Sequence, residues 1–110
     1  MKNIIIATMI ALATPAHAEF FTGNDLYNRL NDESYFIQGV GHGYVIGVFD
    51  VGQNALHCAS NNVTAGQVKD LAKAYLRNNP EIRDKSADSI LMSLFEKTWP
   101  CANRRKGTGV

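Results

Sequence analysis

Apolar residues recur at helical spacing in four stretches of the chain, and polar links separate these stretches. The clearest local signal lies at Thr64 and Gln67, which form the Thr-x-x-Gln pattern of a capping box, with a valine on each side as a hydrophobic staple. The apolar positions that follow have helical spacing: Val68, Leu71, Ala72, Tyr75 and Leu76. This pattern predicts a helix that begins after Thr64 and ends at Asn78-Asn79.

Capping residues predict where the other three helices begin. Thr22 can cap a short first helix with Asp25 as a capping-box partner, and Ser34 can cap a second helix. Ser86 can cap a last helix, whose apolar stripe is Ala87, Ile90, Leu91, Leu94 and Phe95. No convincing strand pattern occurs. The sequence therefore predicts an all-α fold, a small domain of four to five helices.

The predicted second helix contains glycines at a spacing of four. Gly39, Gly43 and Gly47 would share one helix face, and the spacing matches neither a dinucleotide fingerprint nor a P-loop. Apolar residues form the adjacent stripe: Phe36, Val40, Tyr44 and Val48. Because each helical glycine costs about 1 kcal/mol relative to alanine, we predict a long helix over residues 35–56 whose glycine face packs against another backbone. A glycine-broken loop between two short helices is the alternative.

The first 18 residues have the features of a secretory signal peptide. Lys2 supplies a positive start, Ile4 to Leu12 supply an apolar run, and Ala16-His17-Ala18 supply a small-x-small cleavage site. We expect cleavage after Ala18, with a retained membrane anchor as the alternative. No later segment approaches the roughly 20 apolar residues that a membrane span needs, so the mature chain is expected to be exported.

The expected mature chain is close to neutral, because only Lys2 of the 11 basic and 10 acidic residues precedes residue 19. Residues 19–101 are expected to form one domain. Three basic residues follow it, Arg104, Arg105 and Lys106, so residues 102–110 are expected to form a basic flexible tail. A nucleic-acid-binding domain would present a basic face with interleaved aromatic residues. The charge pattern therefore argues against nucleic acid as a partner.

Cys58 and Cys101 are the two cysteines of the chain. An even count in an oxidising compartment favours a disulfide, which would stabilise a small domain by roughly 4 kcal/mol in the chain-entropy model. Two free thiols are the alternative. The cysteines lack the paired C-x-x-C spacing of a zinc site, and we predict a disulfide between the ends of the second and last helices.

Candidate catalytic groups are few. His42 and Asp50 could form the acid–base pair of a small hydrolase, but a lone histidine on a packed helix is more often structural. The same argument applies to His57, next to Cys58. No nucleophile–base pair, carboxylate dyad or metal cluster stands out. We therefore expect a binding protein rather than an enzyme, without a metal or cofactor.

Several short motifs, in order along the chain, resemble one known family. They are Phe21-Thr22-Gly23-Asn24-Asp25-Leu26-Tyr27, Gly43-Tyr44-Val45-Ile46-Gly47-Val48-Phe49-Asp50, Cys58, Val63-Thr64-Ala65-Gly66-Gln67, Tyr75-Leu76, Asn79-Pro80-Glu81-Ile82-Arg83 and Trp99-Pro100-Cys101. Together they look like the Rap/Tai immunity proteins, which protect bacteria against amidase effectors of type VI secretion. The resemblance covers residues 20–101. It implies a small helical periplasmic protein, frequently a homodimer, that blocks a peptidoglycan-cleaving amidase.

The resemblance also concerns the cysteines. Cys58 and Cys101 match the family pattern. Many members look to carry a further cysteine pair that joins the end of the first helix to the early second helix. This chain has Arg29-Leu30 and Gly39-Val40-Gly41 at those two places. Both cysteines of that further pair are therefore missing together, as expected if they bond each other.

Two connecting segments are the candidates for contact with a toxin. Residues 78–86 are polar and stiffened by a proline, and residues 57–62 are held by a cysteine. Pre-stiffened segments lose little entropy on docking. The candidate contact residues are His57, Asn61, Glu81 and Arg83.

A different class of function is also open, that of a periplasmic helical chaperone that binds unfolded clients under stress. Such a protein would release an apolar dimer face when acid protonates it. The chain has three histidines, one of them in the expected signal peptide, which makes a weak pH sensor.

Overall fold

The computed structural model describes residues 21–102, which form four α-helices and one short 3₁₀ turn. The elements are α1 Gly23–Leu30, α2 Tyr35–Gly52, α3 Ala65–Asn78, the 3₁₀ turn Pro80–Ile82 and α4 Ala87–Thr98. Two isolated bridges, Thr22 with Ser86 and Gln53 with His57, are the extended pairings within this range. The predicted all-α fold is confirmed, whereas the expected signal peptide and nearly all of the expected tail lie outside the described residues.

Local capping begins the helices where the sequence predicts. The Thr22 hydroxyl accepts from the Asp25 amide at 3.1 Å, and the Asp25 carboxylate accepts from the Thr22 amide at 3.0 Å. Thr64 and Gln67 form the same reciprocal pair at the start of α3. Ser86 is the exception, because its hydroxyl donates to the Asp88 carboxylate and caps no backbone amide of α4. Three of the four predicted side-chain caps are thus formed, the third by Ser34 at α2.

The core is one apolar cluster to which all four helices contribute. Its buried members are Leu26, Leu30, Val45, Val68, Ala72, Leu76, Ala87, Ile90, Leu91, Leu94 and Phe95. The whole predicted stripe of α4 is buried, and three of the five predicted residues of α3 are buried, with Leu71 and Tyr75 packed against the cluster. Removal of this apolar surface from water is the main driving force for folding.

The helix α2 runs unbroken through its glycines, so the alternative of a glycine-broken loop is wrong. It ends at Gly52 rather than at the predicted residue 56, because the chain turns back sharply there. The Gly52 carbonyl accepts from the amides of Ala55, Leu56 and His57, and Asn54 adopts a left-handed φ of 64°. No helix within residues 21–102 has both the length and the apolar character that a membrane crossing requires.

The predicted disulfide between Cys58 and Cys101 is present, with its Cα atoms 4.9 Å apart. The Cys58 amide also donates to the Trp99 carbonyl at 2.8 Å, so the backbone reinforces the covalent link. The link closes a sequence separation of 43 residues. A loop of that length corresponds to roughly 4 kcal/mol of stabilisation in the chain-entropy model.

Candidate functional site

The α3–α4 connector, residues 79–86, is an exposed segment with an ordered backbone. In its 3₁₀ turn the Ile82 amide donates a hydrogen bond to the Asn79 carbonyl at 3.2 Å. The Ile82 carbonyl in turn accepts from the Lys85 amide at 3.0 Å. The side chains that face solvent are Pro80, Glu81, Asp84 and Lys85. The connector therefore presents polar groups from a defined conformation rather than from a loose loop.

The start of α1 anchors this connector. The Gly23 amide donates to the Lys85 carbonyl at 2.8 Å, and the Asn24 amide donates to the Arg83 carbonyl at 2.7 Å. A Cβ on Gly23 would lie 2.8 Å from the Arg83 Cα, so only glycine permits this approach. At the other end of the connector, the Ala87 amide donates to the Phe21 carbonyl at 2.9 Å. A segment held in this way loses little conformational entropy when a partner binds it.

Arg83 packs against the fold, and its role as a contact residue stays a prediction. It is half-buried, its guanidinium lies 4.1 Å from the centre of the Tyr27 ring, and its Nε is buried without a hydrogen-bond partner among the described residues. A guanidinium over an aromatic face is attracted by the ring. Substitution of Arg83 would therefore disturb the anchor of the connector as well as any partner contact. Glu81, exposed on the 3₁₀ turn, is the better placed of the two predicted contact residues.

The α2–α3 connector, residues 53–64, is held by a side-chain clamp. The Gln53 side chain donates to the Ala59 carbonyl at 2.8 Å and accepts from the Ala59 amide at 3.2 Å. The disulfide at Cys58 pins the segment between these two residues. Asn61 is exposed beyond the clamp, so it stays a predicted contact residue.

His57 is not available to a partner, so its prediction as a contact residue is wrong for this conformation. Its side chain is 1% exposed, with ring centres 4.7 Å from Phe49 and 5.4 Å from Phe95. Burial lowers the pKa of His57, and a hydrogen bond with the Phe49 backbone opposes that shift. Its Nε2 is buried without a partner among the described residues. The imidazole therefore acts as a neutral member of an aromatic cluster.

The hypothetical acid–base pair of His42 and Asp50 does not come together. Both residues lie on α2, and eight residues of helix separate them by about 12 Å along the axis. Asp50 is exposed, whereas His42 is half-buried against α3. Within residues 21–102, no group of three histidine, cysteine, aspartate or glutamate side chains could hold a metal ion.

The glycine face predicted on α2 has no neighbour among the described residues. Outside the helix itself, no described atom lies within 4 Å of a Cβ built on Gly39, Gly43 or Gly47. The glycine that α1 approaches is Gly41, whose Cβ would lie 3.2 Å from the Leu30 amide nitrogen. A close contact inside the described chain is thus excluded for the three predicted glycines, and contact with a second chain stays a prediction.

The same face of α2 exposes large apolar side chains. We call it the outer face of α2, and its members are Phe36, Gly39, Val40, Gly43, Gly47 and Val51. Phe36 is 77% exposed and Val51 is 76% exposed. A shallow depression of ≈ 430 Å³ lies beside Gly47 and Val51 and extends to Met92 of α4. Exposed apolar surface of this continuity marks an interaction site more often than an ordinary solvated face.

Fold and surface together define a small disulfide-linked helical domain with two anchored connectors and an uncovered apolar helix face. A family model for Rap1a immunity proteins matches residues 22–101. The match covers most of the chain, so this protein belongs to the family of Rap1a immunity proteins, and the resemblance seen in the sequence is confirmed. It is a family of immunity proteins, not of enzymes. No curated protein matches the chain.

Proposed function

We propose that this protein is a periplasmic immunity protein that binds and inhibits a peptidoglycan-degrading amidase effector of type VI secretion. The observation that carries the proposal is the family match over residues 22–101, which indicates an immunity protein against a secreted effector. Such a protein acts by binding its cognate toxin. The amidase is inferred from the short motifs that resemble Rap/Tai proteins, of which Asn79-Pro80-Glu81-Ile82-Arg83 forms most of the α3–α4 connector.

The disulfide supports a periplasmic location. Disulfides persist in oxidising compartments and are rare in the cytosol, and the Cys58–Cys101 link closes this domain. Immunity proteins of this family are typically periplasmic. We therefore propose export by the leader of residues 1–18, with cleavage after Ala18.

Inhibition is proposed to occur through the two anchored connectors. Each connector presents an exposed polar residue, Glu81 on one and Asn61 on the other. Backbone bonds to α1 hold the first, and the Gln53 clamp and the disulfide hold the second. Because both are ordered before binding, docking into an enzyme cleft would cost little conformational entropy.

The experiment is calorimetric titration of the protein with candidate peptidoglycan amidases, together with an assay of amidase activity. Glu81→Lys is expected to weaken binding by roughly tenfold or more, since a charge reversal at a contact costs well over 1.4 kcal/mol. Glu96→Lys, an exposed glutamate on α4, is the matched control and should bind as the unaltered protein does. Circular dichroism confirms that each variant is folded. Absence of binding to every periplasm-active amidase would refute the proposal.

We also propose that two copies pair through the outer face of α2. This helix carries no charged residue between Tyr35 and Phe49, and its three outer glycines have open space beside them. A helix that is apolar all round is normally buried on all sides. A second copy supplies the same apolar, glycine-lined surface, as the two-fold symmetry of most homodimers requires.

A second candidate function, a chaperone for unfolded clients under acid stress, is favoured by one observation. The buried His57 must be neutral to pack between Phe49 and Phe95, so acid would loosen this cluster and uncover apolar surface. Light scattering of unrelated aggregating proteins at low pH tests it. Suppressed scattering without amidase binding would favour the chaperone over the immunity protein.

A further inference from the structure

A cleft of ≈ 210 Å³ lies between α2 and α3, and Leu30 of α1 contributes to its lining. Its lining includes Lys69 and Lys73 from α3, and His42 and Gln38 from α2. Three of these side chains are nitrogen groups that can donate hydrogen bonds and carry positive charge. The cleft therefore concentrates basic chemistry in a domain, residues 19–101, that has seven lysine and arginine residues against ten aspartate and glutamate residues.

The two lysines face the cleft without a counter-charge. They lie one helical turn apart, both are half-buried, and neither forms an ion pair with any residue of the described range. Like charges four residues apart on a helix repel each other. Asp70, the acidic residue next to Lys69 along α3, is exposed and does not pair with them. An anion between the two ammonium groups would remove this repulsion.

His42 lines the same cleft and has an unsatisfied polar atom in its ring. Its Nε2 is buried and has no hydrogen-bond partner among the described residues. A buried imidazole nitrogen without a partner costs free energy that a hydrogen bond would recover. Because the lysine side chains beside it are long and have rotatable stems, a ligand that draws the ammonium groups toward itself can also reach the imidazole.

One wall of the cleft is already fixed. The Gln38 side chain donates to the Asp32 carbonyl at 2.6 Å, which ties the start of α2 to the link that precedes it. Leu30 contributes an apolar side chain to the lining. The lining thus combines an apolar side chain with three nitrogen-bearing side chains, and a few polar groups in a mostly apolar pocket can orient a ligand.

From this arrangement we infer that the cleft is a carboxylate-binding site, and that its occupant is an aspartate or glutamate side chain of the toxin. The second half of the inference rests on the proposed function. The volume of ≈ 210 Å³ is below the roughly 300–1,000 Å³ typical of small-molecule pockets, so the cleft suits a ligand group smaller than a drug-sized molecule. Leu30 would contact the methylene groups of the acid, and Lys69, Lys73 and His42 would bind its oxygens.

The chemistry of the lining favours a carboxylate over a phosphate. Phosphate sites often use backbone amides at a helix N-terminus. Lys69 and Lys73 lie in the body of α3 rather than at its first residues. Side-chain donors alone therefore form the site.

The first test needs no toxin. The purified protein is titrated with sodium acetate, with sodium chloride at equal ionic strength as the control, and the histidine ring signals are followed by NMR. The His42 signal, assigned with His42→Gln, should shift saturably with acetate and not with chloride, whereas the signal of the distant buried His57 should stay in place. An unmoved His42 signal overturns the site. Saturation by inorganic phosphate at lower concentration than by acetate overturns the preference for a carboxylate.

The second test identifies the occupant. Lys69→Gln and Lys73→Gln are expected to weaken toxin binding by roughly tenfold each, and Lys69→Arg should retain most of the affinity because it keeps the charge. Lys97→Gln, an exposed lysine at the end of α4, is the matched control for the loss of one charge. Unaltered toxin binding by both glutamine variants would exclude the toxin as the source of the carboxylate. If the unaltered protein binds no amidase, the proposed function fails, while the acetate titration still decides the site.

Discussion

The two faces of α2 use glycine for opposite purposes. On the inner face, a Cβ on Gly52 would lie 2.9 Å from two atoms of the His57 ring, and one on Gly41 would lie 3.1 Å from the Arg29 Cβ. On the outer face, a Cβ on Gly39, Gly43 or Gly47 would meet no described atom within 4 Å outside the helix. The inner glycines make room for neighbours, whereas the outer glycines have no such neighbour in the described chain.

This difference shows where a contact is still missing. A glycine in a helix costs about 1 kcal/mol relative to alanine, and on the inner face close packing of α1 and of the turn after α2 offsets that cost. The outer face has no compensation within residues 21–102. A second protein surface would supply it, which is why we propose the outer face as an interface between copies.

The largest effect is expected from loss of the disulfide, which holds the turn at the C-terminal end of the inner face. The double variant Cys58→Ser with Cys101→Ser should lower the free energy of unfolding by roughly 4 kcal/mol, as loop closure over this separation implies. Urea denaturation measures the change, and reduced unaltered protein should show the same loss. Two free thiols in denatured, unreduced protein from the periplasm would contradict the assignment.

A pair of alanine substitutions tests the two faces directly. Gly52→Ala should lower the free energy of unfolding by about 1–3 kcal/mol, because the new methyl overlaps a His57 ring that tightly packed aromatic residues hold in place. Gly47→Ala, measured at a concentration where the protein is monomeric, should raise it by up to about 1 kcal/mol. Equal effects of the same sign would show that the faces do not differ. Denaturation curves at matched concentration provide the comparison.

The outer face is tested further by its oligomeric state. Gly43→Leu fills the open space of the glycine groove, so it should shift the proposed dimer to monomer while the monomer stays folded. Sedimentation velocity measures the shift, with Ser93→Leu on the exposed side of α4 as a control for added apolar surface. A dimer that survives Gly43→Leu would exclude the glycine face as its interface.

The most gradual effect is expected from pH. Burial lowers the pKa of His57, so the unfolded chain binds a proton on this residue more readily than the folded chain does. The free energy of unfolding therefore rises with pH between the lowered pKa of the folded chain and the ordinary pKa of 6.5. The contribution is complete above the ordinary histidine pKa of 6.5 and is lost progressively as pH falls below it. His57→Phe should flatten the profile there. Hydrogen bonds with Thr22 lower the pKa of Asp25. The contribution of Asp25 to stability is therefore lost in a separate, more acidic range, as pH falls below 3.8.

A slope that persists unchanged in His57→Phe would show that another group is responsible for it. The test also bears on the comparison of the two faces. His57 touches the inner face through Gly52 and Phe49. No histidine lies on the outer face of α2 as defined by its six residues, so acid should loosen the inner packing before the outer surface responds.

Much of this fold follows from sequence because its signals are local. Thr22 and Thr64 cap helices with partners three residues away, and such bonds depend on the nearby chain alone. The buried stripe of α4 was visible for the same reason, since helical periodicity places its apolar residues on one side. Cys58 and Cys101 could be paired because the chain has no other cysteine.

The tertiary structure decided which side of α2 faces inward, because that helix is apolar nearly all round and has no polar face to mark the outside. The four-residue spacing of the glycines was therefore visible in the sequence, yet it is Gly41 rather than Gly43 that contacts α1. The burial of His57 and the cleft of His42, Lys69 and Lys73 depend in the same way on residues distant in the chain. Spacing along one helix specifies a face, but only the packing of several helices specifies what that face meets.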